Sequence, residues 1–287
     1  MEFSSSDLIL QDGKRIYHLD ISPQDIADVI ITVGDPNRVQ LIGDRLDEKL
    51  FYHHSREFHI LTGRIGRQKL SVLSTGIGSD NIDIVMNELD ILFNVDFEKR
   101  RAKEDRKSFK VIRIGTTGAL LPHLEPGDVL LSEKAIGLDG LMHFYKYAEP
   151  DLALAKAFQE QTKVPILPYT AVASESLMNH FNQFRWVQGI TISNAGFYGP
   201  QGRKVLHQPA HPFVDLFTAF EYQGQKISNL EMETAAIYAF ASMMGHQALS
   251  VNIVLANRAR QSFHPNPTLP IIHAIEKVLE VLSEGNL

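Results

Sequence analysis

The sequence predicts an α/β fold with a central mixed β-sheet flanked by helices. Three observations lead there. Short β-branched runs alternate with helical patterns along the whole chain. Several of these runs are apolar throughout rather than alternating, as strands buried on both faces are. Glycine-containing turns follow the runs, at the strand ends where such sheets place their ligands. The predicted strands are Val29–Val33, Leu70–Ser74, Val111–Ile114, Val129–Leu131, Gly189–Ser193 and Leu249–Leu255. One helix follows Gly78 and spaces Ile82, Val85, Met86, Leu89 and Leu92 by three or four residues. A second runs from about Thr234 to Met244 and stops at Gly245. The last begins near Pro270, with Ile271, Ile275, Val278, Leu279 and Leu282 along one side. No repeat and no Pro/Ser-rich linker interrupts the chain, so residues 1–287 read as one domain. The dense mixed-charge run Asp96–Lys107 reads as a solvated helix end or loop.

Composition narrows the function classes. The 287 residues are 44% hydrophobic and 22% charged, ordinary for a protein with a sizeable core. A net charge of −6 argues against general nucleic-acid binding, so an anionic substrate has to be met by local arginines. The absence of cysteine excludes disulfides, Cys-ligated metals and thiol nucleophiles. The N-terminus lacks the charged and apolar regions of a signal peptide. The longest uncharged stretch, after Glu233, is broken by Gly245-His246-Gln247 and is not a membrane span. A cytoplasmic protein with no membrane or nucleic-acid partner is expected.

The segment Ser193–Arg203 (SNAGFYGPQGR) carries the most chemistry. It puts an aromatic ring (Phe197), an amide (Gln201) and a guanidinium (Arg203) between Gly and Pro breakers. A planar heterocycle with carbonyl and N–H groups needs a face to stack on, an amide, and a cation for the oxygen that becomes negative. An ordinary exposed turn is the alternative. Gly34-Asp35-Pro36-Asn37-Arg38 ends a strand with a glycine and puts Arg38 at a helix start, a geometry suited to an anion or simply a capped turn. Ser74-Thr75-Gly76-Ile77-Gly78 is another strand-to-helix turn and matches neither dinucleotide nor P-loop patterns. Arg113 falls inside an apolar strand, where an unpaired guanidinium is costly, so it meets either a structural carboxylate or a bound anion. Thr116, Thr117 and two glycines just after it favour the anion. His53-His54 lack partners for a metal site, and Arg56 follows them. In Asn229–Ala235, Glu231 and Glu233 flank Met232 at a strand-to-helix junction. They read either as acid enrichment at a helix start or as a carboxylate for sugar hydroxyls above an apolar floor. Arg258 ends the last buried strand.

In this order, the segments YHL (Tyr17–Leu19), VGDPNRV, HSREF, STGIG, IRIGTTGALLPH, GDVL, LDGLMHF, FYGPQGR, NLEMETA and ANR resemble a nucleoside phosphorylase of the uridine phosphorylase branch. They span residues near 17 to near 258, almost the whole chain. The resemblance implies a single-domain nucleoside phosphorylase-like fold and phosphorolysis of uridine to uracil and ribose 1-phosphate. It implies phosphate binding by Gly34, Arg38, Arg113 and Thr116, joined by Arg56 from a neighbouring subunit. It places His18 across the same interface at the ribose, which Met232, Glu233 and Thr116 also contact. Phe197, Gln201 and Arg203 hold the base, with the Thr117-Gly118 backbone and Arg258 beside it. Gln201, Arg203 and Arg113 are the implied catalytic groups. The implied partners are a nucleoside, inorganic phosphate as co-substrate, and further copies of the chain in a dimer or hexamer, with no organic cofactor and no metal.

The chain departs from the family in three places. Ser79-Asp80-Asn81 replaces the usual Gly-Pro-Ser, which counts against the monovalent cation that some relatives hold there with the acid at the position of Glu57. The order Gly199-Pro200 inverts the common Pro-Gly before Gln201, and the run near Glu98–Lys107 reads as an insertion. Purine-specific relatives carry an Asp or Asn after the last strand, so Asn257 keeps a purine nucleoside phosphorylase in view, although Asn257-Arg258 matches the pyrimidine branch. A nucleosidase is the second enzyme alternative, opposed by Arg38, Arg56 and Arg113, because water needs no cationic clamp. A nucleoside-binding sensor without turnover is the non-enzyme alternative.

Overall fold

The computed structural model describes residues 2–285 and 287. Twelve strands form one mixed sheet: β1 (Val29–Val33), β2 (Glu48–Ser55), β3 (Phe58–Ile65), β4 (Gln68–Ser74), β5 (Lys110–Ala119), β6 (Val129–Gly137), β7 (Tyr169–Val172), β8 (Val187–Ser193), β9 (Glu221–Tyr222), β10 (Gln225–Glu231), β11 (Gln247–Asn257) and β12 (Ser262–Phe263). The main path runs β9-β10-β8-β6-β11-β5-β1-β4-β3-β2, with β7 on β6 and β12 on β11. β10 also pairs antiparallel with β5, Leu230 opposite Gly118, so β10, β8, β6, β11 and β5 close a ring. That closure brings the end of β10 beside the end of β5.

The helices are α1 (Pro36–Gly43), α2 (Ser79–Asn94), α3 (Leu152–Thr162), α4 (Glu175–Phe181), α5 (Phe213–Ala219), α6 (Thr234–Met244) and α7 (Thr268–Ser283). β1 shows why the sheet is covered on both faces. Its five residues are all buried, and Ile30 enters one core while Val29, Ile31 and Val33 enter another. The first core takes Leu89 of α2 with Ile237 and Phe240 of α6. The second takes Val39 and Ile42 of α1, Phe181 of α4 and Val278 of α7. Each such side chain contributes about 1.5–3 kcal/mol on burial. No helix among the described residues is long and apolar enough to cross a membrane.

The charged run departs from its expected form. Val95–Asp96 pairs antiparallel with Arg101–Ala102, making a short hairpin at the end of α2. Arg100 adopts φ 46° and donates to the carbonyls of Phe3 (3.1 Å), Ser4 (2.8 Å) and Leu8 (2.5 Å). A basic residue in this run therefore ties down the N-terminal arm rather than lying free in solvent.

Candidate active site

The ends of β1, β4, β5, β10 and β11 surround a cavity of about 670 Å³. Gly34, Arg38, Arg113, Thr116, Thr117, Gly118, Phe197, Gln201, Arg203, Met232 and Glu233 all line it, as do Glu57, Asn81, Glu231 and Phe263. Strand order explains the convergence. β5 lies between β1, where Thr32 faces Arg113, and β11, where Ile253 faces Thr116.

At one end, Asp35 caps α1 by accepting from the Asn37 N–H at 2.9 Å. Arg38, in the first turn of that helix, donates to the Ile114 carbonyl at 3.3 Å. Burial lowers its pKa, the Asp35 charge opposing and the Arg113 charge reinforcing the shift.

Arg113 resolves the choice left open by its position. The expectation favoured a bound anion, yet its guanidinium is engaged by carboxylates. Nη2 lies 2.5 Å from Glu233 Oε2 and 2.9 Å from Glu231 Oε2, and Nη1 donates to Asn252 Oδ1 at 2.9 Å. Burial would lower the Arg113 pKa, but the Glu231 and Glu233 charges raise it overall. Gly115 makes room for this arrangement, because a Cβ there would fall 1.8 Å from Arg113 Nη1. Glu231 also accepts from Ser193 Oγ (2.5 Å) and from the N–H groups of Glu233 (2.9 Å) and Thr234 (3.0 Å), covering the start of α6. Glu233 Oε1 accepts from the Gly78 N–H at 2.8 Å, linking α2 to the same network. Burial raises the Glu233 pKa, with the Arg113 charge pulling it down and the Glu231 charge adding to the rise.

At the other end, Gln201 is buried and Phe197 is 50% exposed. Arg203 stacks over Phe197 with its guanidinium carbon 3.4 Å from the ring centroid. Its Nη1 donates to Gln201 Oε1 at 2.7 Å and to the Phe197 carbonyl. Arginine only donates, so this contact fixes the Gln201 amide with its oxygen toward Arg203 and Nε2 free to donate. Gly202, at φ +66°, makes the reversal between them, and a Cβ there would press on Val214 at 2.8 Å. Burial and then the Arg258 charge lower the Arg203 pKa to about 10. The Thr117 hydroxyl is committed to structure, donating to the Leu230 carbonyl at 2.7 Å and accepting from Asn229 at 2.8 Å.

Three expected residues lie outside this cavity. His18 and Arg56 do not line it. His18 Nδ1 is held 2.6 Å from Glu88, which also accepts the N–H groups of His18 and Leu19. The Arg56 guanidinium lies 5.7 Å from the centroid of the exposed Tyr17 ring, next to His18 in sequence. Arg258 packs its stem against Gly118 and lines a neighbouring cavity instead. Asn257 is buried, donating to the carbonyls of Leu121 (2.9 Å) and Leu124 (2.7 Å) and accepting from the Arg260 N–H.

The supporting residues missed from sequence are Glu88, Gly115, Glu231 as the second partner of Arg113, and Phe263. Glu88 had a legible signal, a carboxylate set among the apolar positions of α2, beside Leu89. Phe263 had none, since a lone exposed aromatic after a turn is unremarkable.

The phosphorylase superfamily matches residues 28–281. The chain is similar to the uridine phosphorylase of Thermococcus kodakarensis, 31% identical over 86% of this chain and 79% of that one. It is also similar to the uridine phosphorylase of Escherichia coli K12, 29% identical over 92% of this chain and 96% of the relative. The structure resembles that of a Trypanosoma brucei nucleoside phosphorylase showing uridine phosphorylase activity, with a TM-score of 0.87 and 27% identity over 97% of this chain and 100% of the other. The chain belongs to the phosphorylase superfamily.

Proposed function

We propose that this protein cleaves uridine by phosphorolysis, giving uracil and ribose 1-phosphate. The observation that carries the reading is a single cavity lined by Gly34, Arg38 and Thr116, by Met232 and Glu233, and by Gln201 and Arg203. Those three sets suit phosphate, ribose and base. Phosphate attacks C1′ while the bond to N1 breaks, and the bonding electron pair leaves with the pyrimidine. The negative charge then spreads to the carbonyl oxygens. Arg203 and the Gln201 Nε2 donor stabilise that charge more than the neutral ground state, which is what accelerates the step. The Glu233 carboxylate accepts from the ribose hydroxyls above Met232. Arg38 and the Gly34 N–H orient the phosphate, an entropic gain. Arg113 acts through Glu233, holding the carboxylate in place, and presents its remaining surface to the phosphate. One face of Phe197 is occupied by Arg203, so the base uses the other, and the Thr117-Gly118 backbone borders it. No covalent nucleophile, metal or organic cofactor is required.

A pyrimidine is favoured over a purine because Asn257, the side chain able to hydrogen-bond a purine N7, is spent on the Leu121 and Leu124 carbonyls. A second copy of the chain completes the site in this reading. His18 and Arg56 lie together outside their own cavity, and Tyr17 and Arg56 are exposed there. The test is absorbance-monitored cleavage of uridine and of inosine, each with and without inorganic phosphate. Phosphate-dependent loss of uridine alone supports the assignment; cleavage of inosine instead would move the protein to the purine branch.

A further inference from the structure

The His18 ring is gripped at one nitrogen and open at the other. Its Nδ1 lies 2.6 Å from Glu88 Oε1, and the Tyr17 ring packs edge-on against it with centroids 4.7 Å apart. Nε2 makes no hydrogen bond among the described residues, and the side chain is 31% exposed. Glu88 is buried on α2 and forms no ion pair with Lys or Arg among the described residues. Donors hold it instead: the His18 N–H reaches Oε1 at 2.9 Å, and the Leu19 N–H reaches Oε2 at 2.8 Å. Backbone N–H groups only donate, so both carboxylate oxygens are acceptors, and the imidazole contact is Nδ1–H donating. A neutral imidazole with its proton on Nδ1 presents Nε2 as an acceptor. The anchor point also keeps His18 out of its own cavity. Glu88 lies about 15 Å down α2 from Gly78, whose N–H meets Glu233 in the cavity, at roughly 1.5 Å per residue. In the uridine reading, Glu233 takes the vicinal ribose hydroxyls, and the 5′-hydroxyl is the donor still to be met. We propose that Glu88 is a positioning residue. By fixing the Nδ1–H tautomer and the direction of the ring, it holds His18 Nε2 as the acceptor for the 5′-hydroxyl of a nucleoside bound in a second copy of the chain. This inference rests on the uridine reading and its shared site.

Uridine and 5′-deoxyuridine differ only by that hydroxyl, so the pair separates positioning from stability. Steady-state phosphorolysis of both is measured for the wild type, His18→Ala, Glu88→Gln and the double variant. Glu88→Asp, which keeps the charge but draws it back by one methylene, is the second variant should the amide not fold. The readout is the ratio of kcat/KM for uridine to that for 5′-deoxyuridine. A loss of folded enzyme leaves this ratio unchanged, because both rates fall together. The wild type is expected to prefer uridine, and the preference to fall about tenfold in His18→Ala and in each Glu88 variant, with no further fall in the double variant. A ratio that stays at the wild-type value in either the His18 or the Glu88 variants overturns the proposal and leaves Glu88 as an anchor for the N-terminal arm. Equal kcat/KM for the two nucleosides in the wild type also overturns it, while phosphorolysis of uridine stands. No cleavage of uridine by the wild type overturns the uridine reading and the proposal together, a distinguishable result.

Discussion

The Arg203 guanidinium carbon lies over the Phe197 ring, 3.4 Å from its centroid, and the same guanidinium donates to Gln201 at 2.7 Å. The three side chains therefore form one unit before any ligand arrives, and in the proposed reading that unit meets the base.

This coupling sets the first prediction. Arg203→Ala should lower kcat/KM for uridine by about 10²–10³, and Phe197→Ala by roughly tenfold through loss of the platform. In the double variant the losses should not add, because Phe197 acts largely through Arg203. Steady-state kinetics of the three variants decides it; strict additivity would separate the two residues.

How much of this was legible in the sequence follows from where partners sit. β1 was predicted with its observed bounds, and α6 with its stop at Gly245, because uniform apolar runs and a left-handed cap (φ +81°) are local signals. The strand-to-helix junction at Asn229–Ala235 implied the end of β10, but its range went unread because its buried residues Ser228, Asn229 and Glu231 are polar, their burial made tolerable by bonds to other strands. The β2–β3 hairpin was missed as well. β2 is an edge strand, half exposed, and reads as a mixed polar run. The anion favoured for Arg113 gave way to Glu231 and Glu233, which lie about 120 residues further along the chain. No local pattern announces such a pairing.

That pairing gives the second prediction. Arg113→Met should leave Glu231 and Glu233 facing each other in a dry site, costing about 3–5 kcal/mol of stability. Gly115→Ala should also destabilise, by roughly 1–3 kcal/mol, because the new methyl displaces the Arg113 guanidinium. Urea unfolding monitored by fluorescence measures both, and midpoints equal to wild type would contradict the network.

A third prediction concerns pH. Burial pushes the Asp90 carboxyl up, but hydrogen bonds from His246 and Asn94 and the Arg106 charge bring it below its ordinary value. A carboxylate depressed in the folded state adds stability above its unfolded pKa and loses it as pH falls through the folded pKa. Asp90→Asn should therefore be less stable than wild type at pH 7, with the gap narrowing below about pH 4. Thermal melts across that range should show the convergence; a constant gap would refute the linkage.

Fourth, a site shared between copies predicts complementation. Arg38→Ala and Arg56→Ala chains should each be nearly inactive alone and regain activity when mixed and allowed to exchange subunits. Persistent inactivity after mass spectrometry has verified mixed assemblies would place Arg56 outside the working site.

The most direct test of the central claim is the identity of the sugar released from uridine in the presence of inorganic phosphate, determined by mass spectrometry. Ribose 1-phosphate, formed in equal amount to uracil, is the predicted product. Free ribose appearing with uracil at the same rate, with or without phosphate, would contradict the account and make the protein a hydrolase.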